Sequence, residues 1–211
     1  MGAGAAPRRV LAMTPSLAAE MRAKRSELMT AELEAVALRL FEERGFDAVT
    51  VEDIATAGHI SVRTFYRYFA AKEDVFQAQI DRRNRALRVA LAGRPDDEPP
   101  LRALRVALEQ VVAGEDPERL RRWIAVIAST TSVVNGVIGG IQFKTQATMR
   151  EFLATRLGMA SDAVVPTMLA AATGGVIQAA HTRWFIQGGD LPALLAEGLE
   201  VLERGIGSDL R

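Results

Sequence analysis

Side chains able to make or break covalent bonds are scarce in this chain. Its 211 residues include two histidines, His59 and His181, and no cysteine. The lack of Cys excludes disulfides, thiolate zinc sites and a Cys nucleophile. The histidines lie far apart in sequence, with no H-E-x-x-H pattern and no Gly-rich phosphate loop. No catalytic residue, metal site or cofactor is therefore expected. Recognition chemistry, by contrast, is concentrated in one place. The run Ser61-Val62-Arg63-Thr64-Phe65-Tyr66-Arg67-Tyr68 gathers guanidiniums, hydroxyls and phenols on a short segment. Arg can pair bidentately with a guanine edge, and Thr can touch a thymine methyl.

The flanking residues say how such a segment would be held. Thr50 precedes an apolar-periodic run with Asp53 three residues on, the pattern of a capped helix start. Val51, Ile54 and Ala55 face inward, and after about two turns Gly58-His59-Ile60 redirects the chain. Ser61 then caps a second short helix. Phe65 and Phe69, at i and i+4, give it one buried stripe. Arg63, Thr64, Tyr66 and Arg67 spread over the remaining surface. Two short helices joined by a tight turn have the proportions of a helix-turn-helix, whose second helix enters the major groove. Taken alone, the pattern also fits a plain three-helix bundle with Tyr66 and Tyr68 at the edge of its core.

The rest of the chain reads as all-α. Ala, Leu, Glu and Arg dominate and strand-like alternation is absent. A first helix ends at Gly45, starting either near Thr14-Pro15 or after a basic arm reaching to about Arg25. Helices are expected near 51–57, 62–69, 72–92, 101–113, 117–130, 138–157, 161–187 and 191–206. The proline-rich stretch 93–100 is the best linker. The expected organisation is thus a basic arm or helix extension over 1–25, a helix-turn-helix domain over 26–92, the linker, and a helical domain over 101–211. Net charge is zero, yet residues 1–94 carry 15 Lys/Arg against 12 Asp/Glu, and residues 95–211 carry 11 against 14. The sign of this asymmetry favours nucleic acid at the N-terminal end. No apolar stretch reaches the ~18 residues needed to span a bilayer, and the N-terminus lacks the order of a secretory signal. A cytoplasmic protein is expected.

The run Leu40-Phe41-x-x-x-Gly45-Phe46-x-x-x-Thr50-Val51-x-x-Ile54-Ala55, with Ile60-Ser61-x-x-Thr64-x-Tyr66-x-Tyr68-Phe69-x-x-Lys72-Glu73, resembles the signature of the TetR family of transcriptional regulators. Its close variant RTFYRYF resembles that of many actinobacterial members. The resemblance implies a sequence-specific DNA-binding regulator with an N-terminal three-helix domain and a C-terminal helical domain for ligand binding and dimerisation. Carried over by position, Thr50 would hold a phosphate, and Ser61 would cap the recognition helix. Val62, Arg63, Thr64 and Arg67 would face bases or adjacent phosphates, and Tyr66 and Lys72 would contact the backbone. One departure is the turn. The family usually has Ala-Gly there, whereas this chain has Gly58-His59, so His59 would have to take the left-handed conformation itself.

Beyond the linker the resemblance fades. The last two helices are expected to form a homodimer, with small residues at Ala170–Gly175 allowing close approach and Leu194, Leu195, Leu199, Val201 and Leu202 supplying apolar area. Trp123, Ile127, Phe143, Gln146, Met168, Gln178, His181 and Trp184 are the candidate wall of an effector pocket. Each is also an ordinary core residue at helical spacing. Apolar candidates favour a greasy or aromatic effector, an acyl-CoA being one that the resemblance allows. The expected mode is a repressor released from a palindromic duplex by that ligand. The rival without catalysis is a helical interaction module that has lost DNA binding, which salt-dependent duplex binding would distinguish.

Overall fold

The structure is a computed structural model that describes residues 16–129 and 139–205. These residues form α1 (Leu17–Arg44), α2 (Val51–Ala57), α3 (Val62–Tyr68), α4 (Asp74–Ala92), α5 (Pro100–Ala113), α6 (Pro117–Ser129), α7 (Gly139–Leu157), α8 (Val164–Gln187) and α9 (Leu191–Arg204). The all-α expectation is met, with no strand among the described residues. Leu17–Arg25 are the first turns of α1, so this part of the expected arm is a helix extension. Residues 1–15 and the expected break at Asn135-Gly136 lie outside the described residues.

Helix ends follow local chemistry. Gly45 stops α1 at φ 80°, a left-handed conformation that costs Gly little, while its N–H reaches back to the Phe41 carbonyl. Pro100 opens α5 at a position where its missing N–H would have had no helical partner. The stretch between α4 and α5 is tied down. Arg156 of α7 donates to the carbonyls of Arg94, Pro95 and Asp96 at 3.0, 2.7 and 2.8 Å.

Two apolar cores organise the helices. In the first, Leu33, Ala37, Leu40 and Phe41 of α1 meet Ile54 of α2, Phe65 of α3, and Val75, Phe76 and Ile80 of α4. At its centre the rings of Phe41, Phe46 and Phe76 lie 4.9 to 5.6 Å apart. The second core joins Leu87 and Leu91 of α4 to α5, α7, α8 and α9, including Leu104, Leu153, Trp184 and Leu195. Helix α4 therefore belongs to both cores. So does α6, whose Val126 and Ile127 enter the first core while Leu120 enters the second and Trp123 packs on both. The recognition segment is carried on the first core and coupled to the second through these two helices.

The small and apolar residues expected to dimerise sort differently in the fold. Leu195 and Leu199 are buried in the second core at 0% and 4% exposure, because α9 packs on both α5 and α8. Exposed apolar surface runs along α8, through Val164, Met168, Ala171, Gly175, Ala179 and Ile186, of which Ala171 and Gly175 lie in the expected small-residue stretch, and Val201 of α9 is exposed as well.

Candidate nucleic-acid interface

The α2–α3 unit is built from its own side chains. Thr50 Oγ1 accepts from the Asp53 N–H at 3.1 Å, and Asp53 Oδ2 accepts from the Thr50 N–H at 2.9 Å and hydroxyl at 2.8 Å. This reciprocal box satisfies backbone donors that a helix start leaves open. The Thr50 N–H first, then its hydroxyl, hold the Asp53 carboxyl below its ordinary value, and Arg44 at 3.4 Å adds to this. Both donors of Thr50 are engaged by Asp53 in this conformation, and Thr50 starts α2.

The turn takes the conformation that its departure from the family pattern requires. His59 has φ 53°, the only positive value at a non-glycine among the described residues. Gly58 is ordinary in backbone, at φ −85°. Its lack of a side chain serves another purpose: a Cβ there would sit 2.9 Å from Leu33 Cδ2 and 3.1 Å from the Ile54 carbonyl. Glycine at 58 thus eases the close approach of the turn to α1, and the left-handed residue falls to 59.

Ser61 caps α3 by accepting from the Thr64 N–H at 3.0 Å, and the two hydroxyls lie 2.8 Å apart. Phe65 is fully buried and Phe69 nearly so, with rings 5.2 Å apart, which fastens the underside of α3 to the first core. The opposite face carries Ser61, Arg63, Tyr66 and Arg67, all exposed, with Val62 and Thr64 half-buried beside them. Arg67 is steered by Tyr68, whose hydroxyl it reaches at 3.1 Å and whose ring it covers at 5.0 Å. A seven-residue helix with basic, hydroxyl and phenol groups on one side can lie in a major groove and donate to base edges and phosphates.

Lys72 is placed where sequence spacing does not show. Its Nζ donates to the carbonyls of Phe46 and Val49 at 2.8 and 2.9 Å and lies 4.2 Å from the centre of the Phe46 ring. Lys72 thus clamps the α1–α2 loop to the start of α4, using two of its three N–H groups on these carbonyls.

The eight expected pocket residues do not gather on one cavity. Phe143 and Met168 are 71% and 57% exposed, Ile127 belongs to the first core, and Trp184 is 2% exposed in the second. Gln178 is exposed on α8 in an open groove of about 540 Å³, with Gly175, Thr182, Arg183 and Ile186. Trp123 borders a partly open space of only about 10 Å³, at the lower limit for a single water. Gln146 is half-buried against Gly174. His181 donates from Nδ1 to the Ile177 carbonyl at 2.8 Å and offers Nε2 to Arg83 at 3.3 Å. Burial, then the Arg83 charge, push the His181 pKa down to about 4. It is a neutral interior histidine.

Comparison with known proteins matches both halves of this architecture. Residues 34–78 match the signature described as bacterial regulatory proteins, tetR family, and residues 98–207 match the MftR C-terminal domain. The HTH-type transcriptional regulator TcmR of Streptomyces glaucescens is 42% identical over 76 residues, which are 36% of this chain and 34% of that protein's length. A TetR-family transcriptional regulator from Syntrophomonas wolfei superposes with a TM-score of 0.66 at 14% identity, over 87% of this chain and 98% of the other. FadR of Thermus thermophilus, a TetR-family repressor in complex with lauroyl-CoA, gives a TM-score of 0.55 at 19% identity, over 86% and 96%. At these identities the two structures support the fold alone.

Proposed function

The chain belongs to the TetR family of bacterial regulatory proteins, and from that premise we propose that it binds a palindromic DNA duplex as a homodimer and is released by a small apolar ligand. That it is a DNA-binding transcriptional regulator, and so not an enzyme, follows from the family. The finer reading rests first on α3. Its underside is anchored by Phe65 and Phe69, and its outer face presents Arg63, Tyr66 and Arg67. Arg63 is the base-reading residue of this proposal. Ser61, Val62, Thr64 and Arg67 lie beside it, and Tyr66 and the remaining Lys72 N–H contact phosphates.

The dimer reading is supported by α8. Val164 and Ile186 are 78% and 72% exposed at its two ends, with Met168, Ala171, Gly175 and Ala179 between them. A face this apolar, with small residues at its middle, suits a second copy of itself across a two-fold axis. Two recognition helices then address half-sites one helical turn apart. The sign of regulation is proposed to be repression. One fold relative, the Thermus thermophilus repressor, is seen with lauroyl-CoA, and an apolar or acyl-CoA effector is the corresponding proposal here. Such a ligand acts only through its difference in affinity between DNA-competent and released states. No helix among the described residues is long and apolar enough to cross a membrane, and the proposed site of action is the cytoplasm, where the operator is.

The test is selection of bound duplexes from a random pool, followed by affinity across salt for the parent and Arg63→Ala. A palindrome should be enriched, its affinity should fall steeply with salt, and Arg63→Ala should cost roughly 10–100-fold. A folded dimer that enriches no sequence overturns the proposal.

A further inference from the structure

Glu34 is a carboxylate where carboxylates are rarely left. It lies on α1 beside Leu33 and Ala37, at 4% exposure. Its Oε2 is 2.5 Å from Arg82 Nη2 of α4 and 2.8 Å from Arg119 Nη2 of α6, and its Oε1 is 3.4 Å from Arg82 Nη1. Gln79, one turn before Arg82, accepts from the same guanidinium nitrogen and steadies it. Three helices therefore meet on one buried acid. The neighbouring residue on α4, Arg83, reaches a different pair: its Nε lies 2.6 Å from Glu115 in the turn before α6, and its Nη2 lies 3.3 Å from His181 of α8. Two successive arginines of α4 thus join α1, the beginning of α6, and α8.

The surroundings give these contacts a mechanical meaning. Helices α1, α2 and α3 pack directly on one another as one body, since Leu33 sits against Gly58 and the Phe65 and Phe69 rings share the first core with Phe41. Apolar contacts also join that body to α4 and α6, but the hydrophobic effect behind them is non-directional. A bidentate guanidinium–carboxylate pair adds an orientation, because both hydrogen bonds depend on the mutual angle of the groups. We propose that Glu34 is a positioning residue: its carboxylate, shared by Arg82 and Arg119, sets the orientation of the α1–α3 body against α4 and α6, and the adjoining Arg83–Glu115–His181 contacts link that setting to α8. The consequence for duplex affinity rests on the DNA-binding reading above; the orientation itself does not.

The chain has no cysteine, so an introduced pair can be labelled cleanly. Asp47→Cys in the α1–α2 loop and Gln110→Cys on α5 are both exposed positions outside the interface and the buried charges. Spin labels there, on chains diluted with unlabelled chain, report only the distance within one molecule. The parent should give one narrow distance. In Glu34→Gln the distribution should move by roughly 2 Å or more, or broaden by as much, and in Arg119→Gln, which leaves the Arg82 pair in place, it should change in the same sense by less. The double variant should go no further than Glu34→Gln alone, because that substitution already removes the Arg119 contact together with the Arg82 pair. Arg119 is a third exposed, so Arg119→Gln keeps the test open should Glu34→Gln fail to fold. A folded variant with the parent's distance distribution overturns the proposal, even if its melting temperature falls, since a merely stabilising pair would lower the melting temperature and leave the orientation alone. Absence of any selected duplex for the parent would count against the DNA-binding reading and leave the distance measurement to judge this one.

Discussion

Helices α3 and α8 both present an exposed face, and they are held in place by different means. Helix α3 is short and secured mainly by residues within a few positions of itself: Ser61 caps it, Thr64 answers the cap, and Phe65 with Phe69 fix its underside. Helix α8 is 24 residues long and lacks a side-chain cap. Its position comes from α7 and α9, against which it packs, and from Trp184 in the second core. The recognition face is thus a local product, whereas the proposed dimer face is what remains after neighbouring helices have covered the rest. Damage to one region should be local and modest, and damage to the other should spread.

That contrast can be broken most directly at Trp184. Trp184→Ala should cost about 3–5 kcal/mol in urea unfolding, through lost burial and the cavity left behind. It should also loosen α8 and α9 together, with hydrogen exchange rising in both while α2 and α3 stay protected. Equal loss of protection in α3 would mean that the two regions are not separately held.

Acid should act on the same side of the molecule. His181 is neutral in the folded chain, with a pKa of about 4 against 6.5 for the free group. As pH falls below about 6.5 the unfolded chain takes up this proton first. Stability is therefore intact above that range and declines toward pH 4, by at most about 3 kcal/mol. Burial raises the Glu115 carboxyl, which works in the opposite sense on acidification. Removing only the histidine separates the two. His181→Gln should flatten the decline between pH 6.5 and 4 in urea titrations, and an unchanged slope would assign the acid sensitivity elsewhere.

The α2–α3 unit should respond on a smaller scale. Thr50→Ala removes the cap of α2 and should cost about 1 kcal/mol, read as a lower urea midpoint with α8 exchange unaltered. His59→Gly should give the smallest change and the opposite sign. It relieves a left-handed side chain, partly offset by the greater freedom of glycine in the unfolded chain, for a gain of up to about 1 kcal/mol. A loss of stability there would show that the His59 side chain makes a contact outweighing its backbone strain.

The parts of the fold and of the candidate site that are legible in the sequence follow the same division. Thr50 with Asp53, Ser61 with its helix and the Phe65–Phe69 stripe can all be read along the chain, because each depends on residues within four positions of one another, whereas the positive φ of His59 is legible only against the family's Ala-Gly turn. The pocket and dimer residues cannot. Apolar side chains run almost all the way around α8, so periodicity selects no face. Nothing local says that Phe143 and Met168 stay outside while Ile127 crosses into the first core. The clamp made by Lys72 and the meeting on Glu34 join residues far apart in sequence. Glu34 is 48 positions from Arg82 and 85 from Arg119.

By itself, then, the sequence determined the helical elements, their caps and the chemistry displayed on α3, since these arise from nearest-neighbour hydrogen bonds and from the three-to-four-residue spacing of a helix. Only the tertiary structure decided which faces of α6, α7, α8 and α9 are covered, how α4 is divided between two cores, and which charges are buried together. Those outcomes depend on helices approaching from distant parts of the chain, where burial and ion-pair geometry are set jointly and leave no short-range mark.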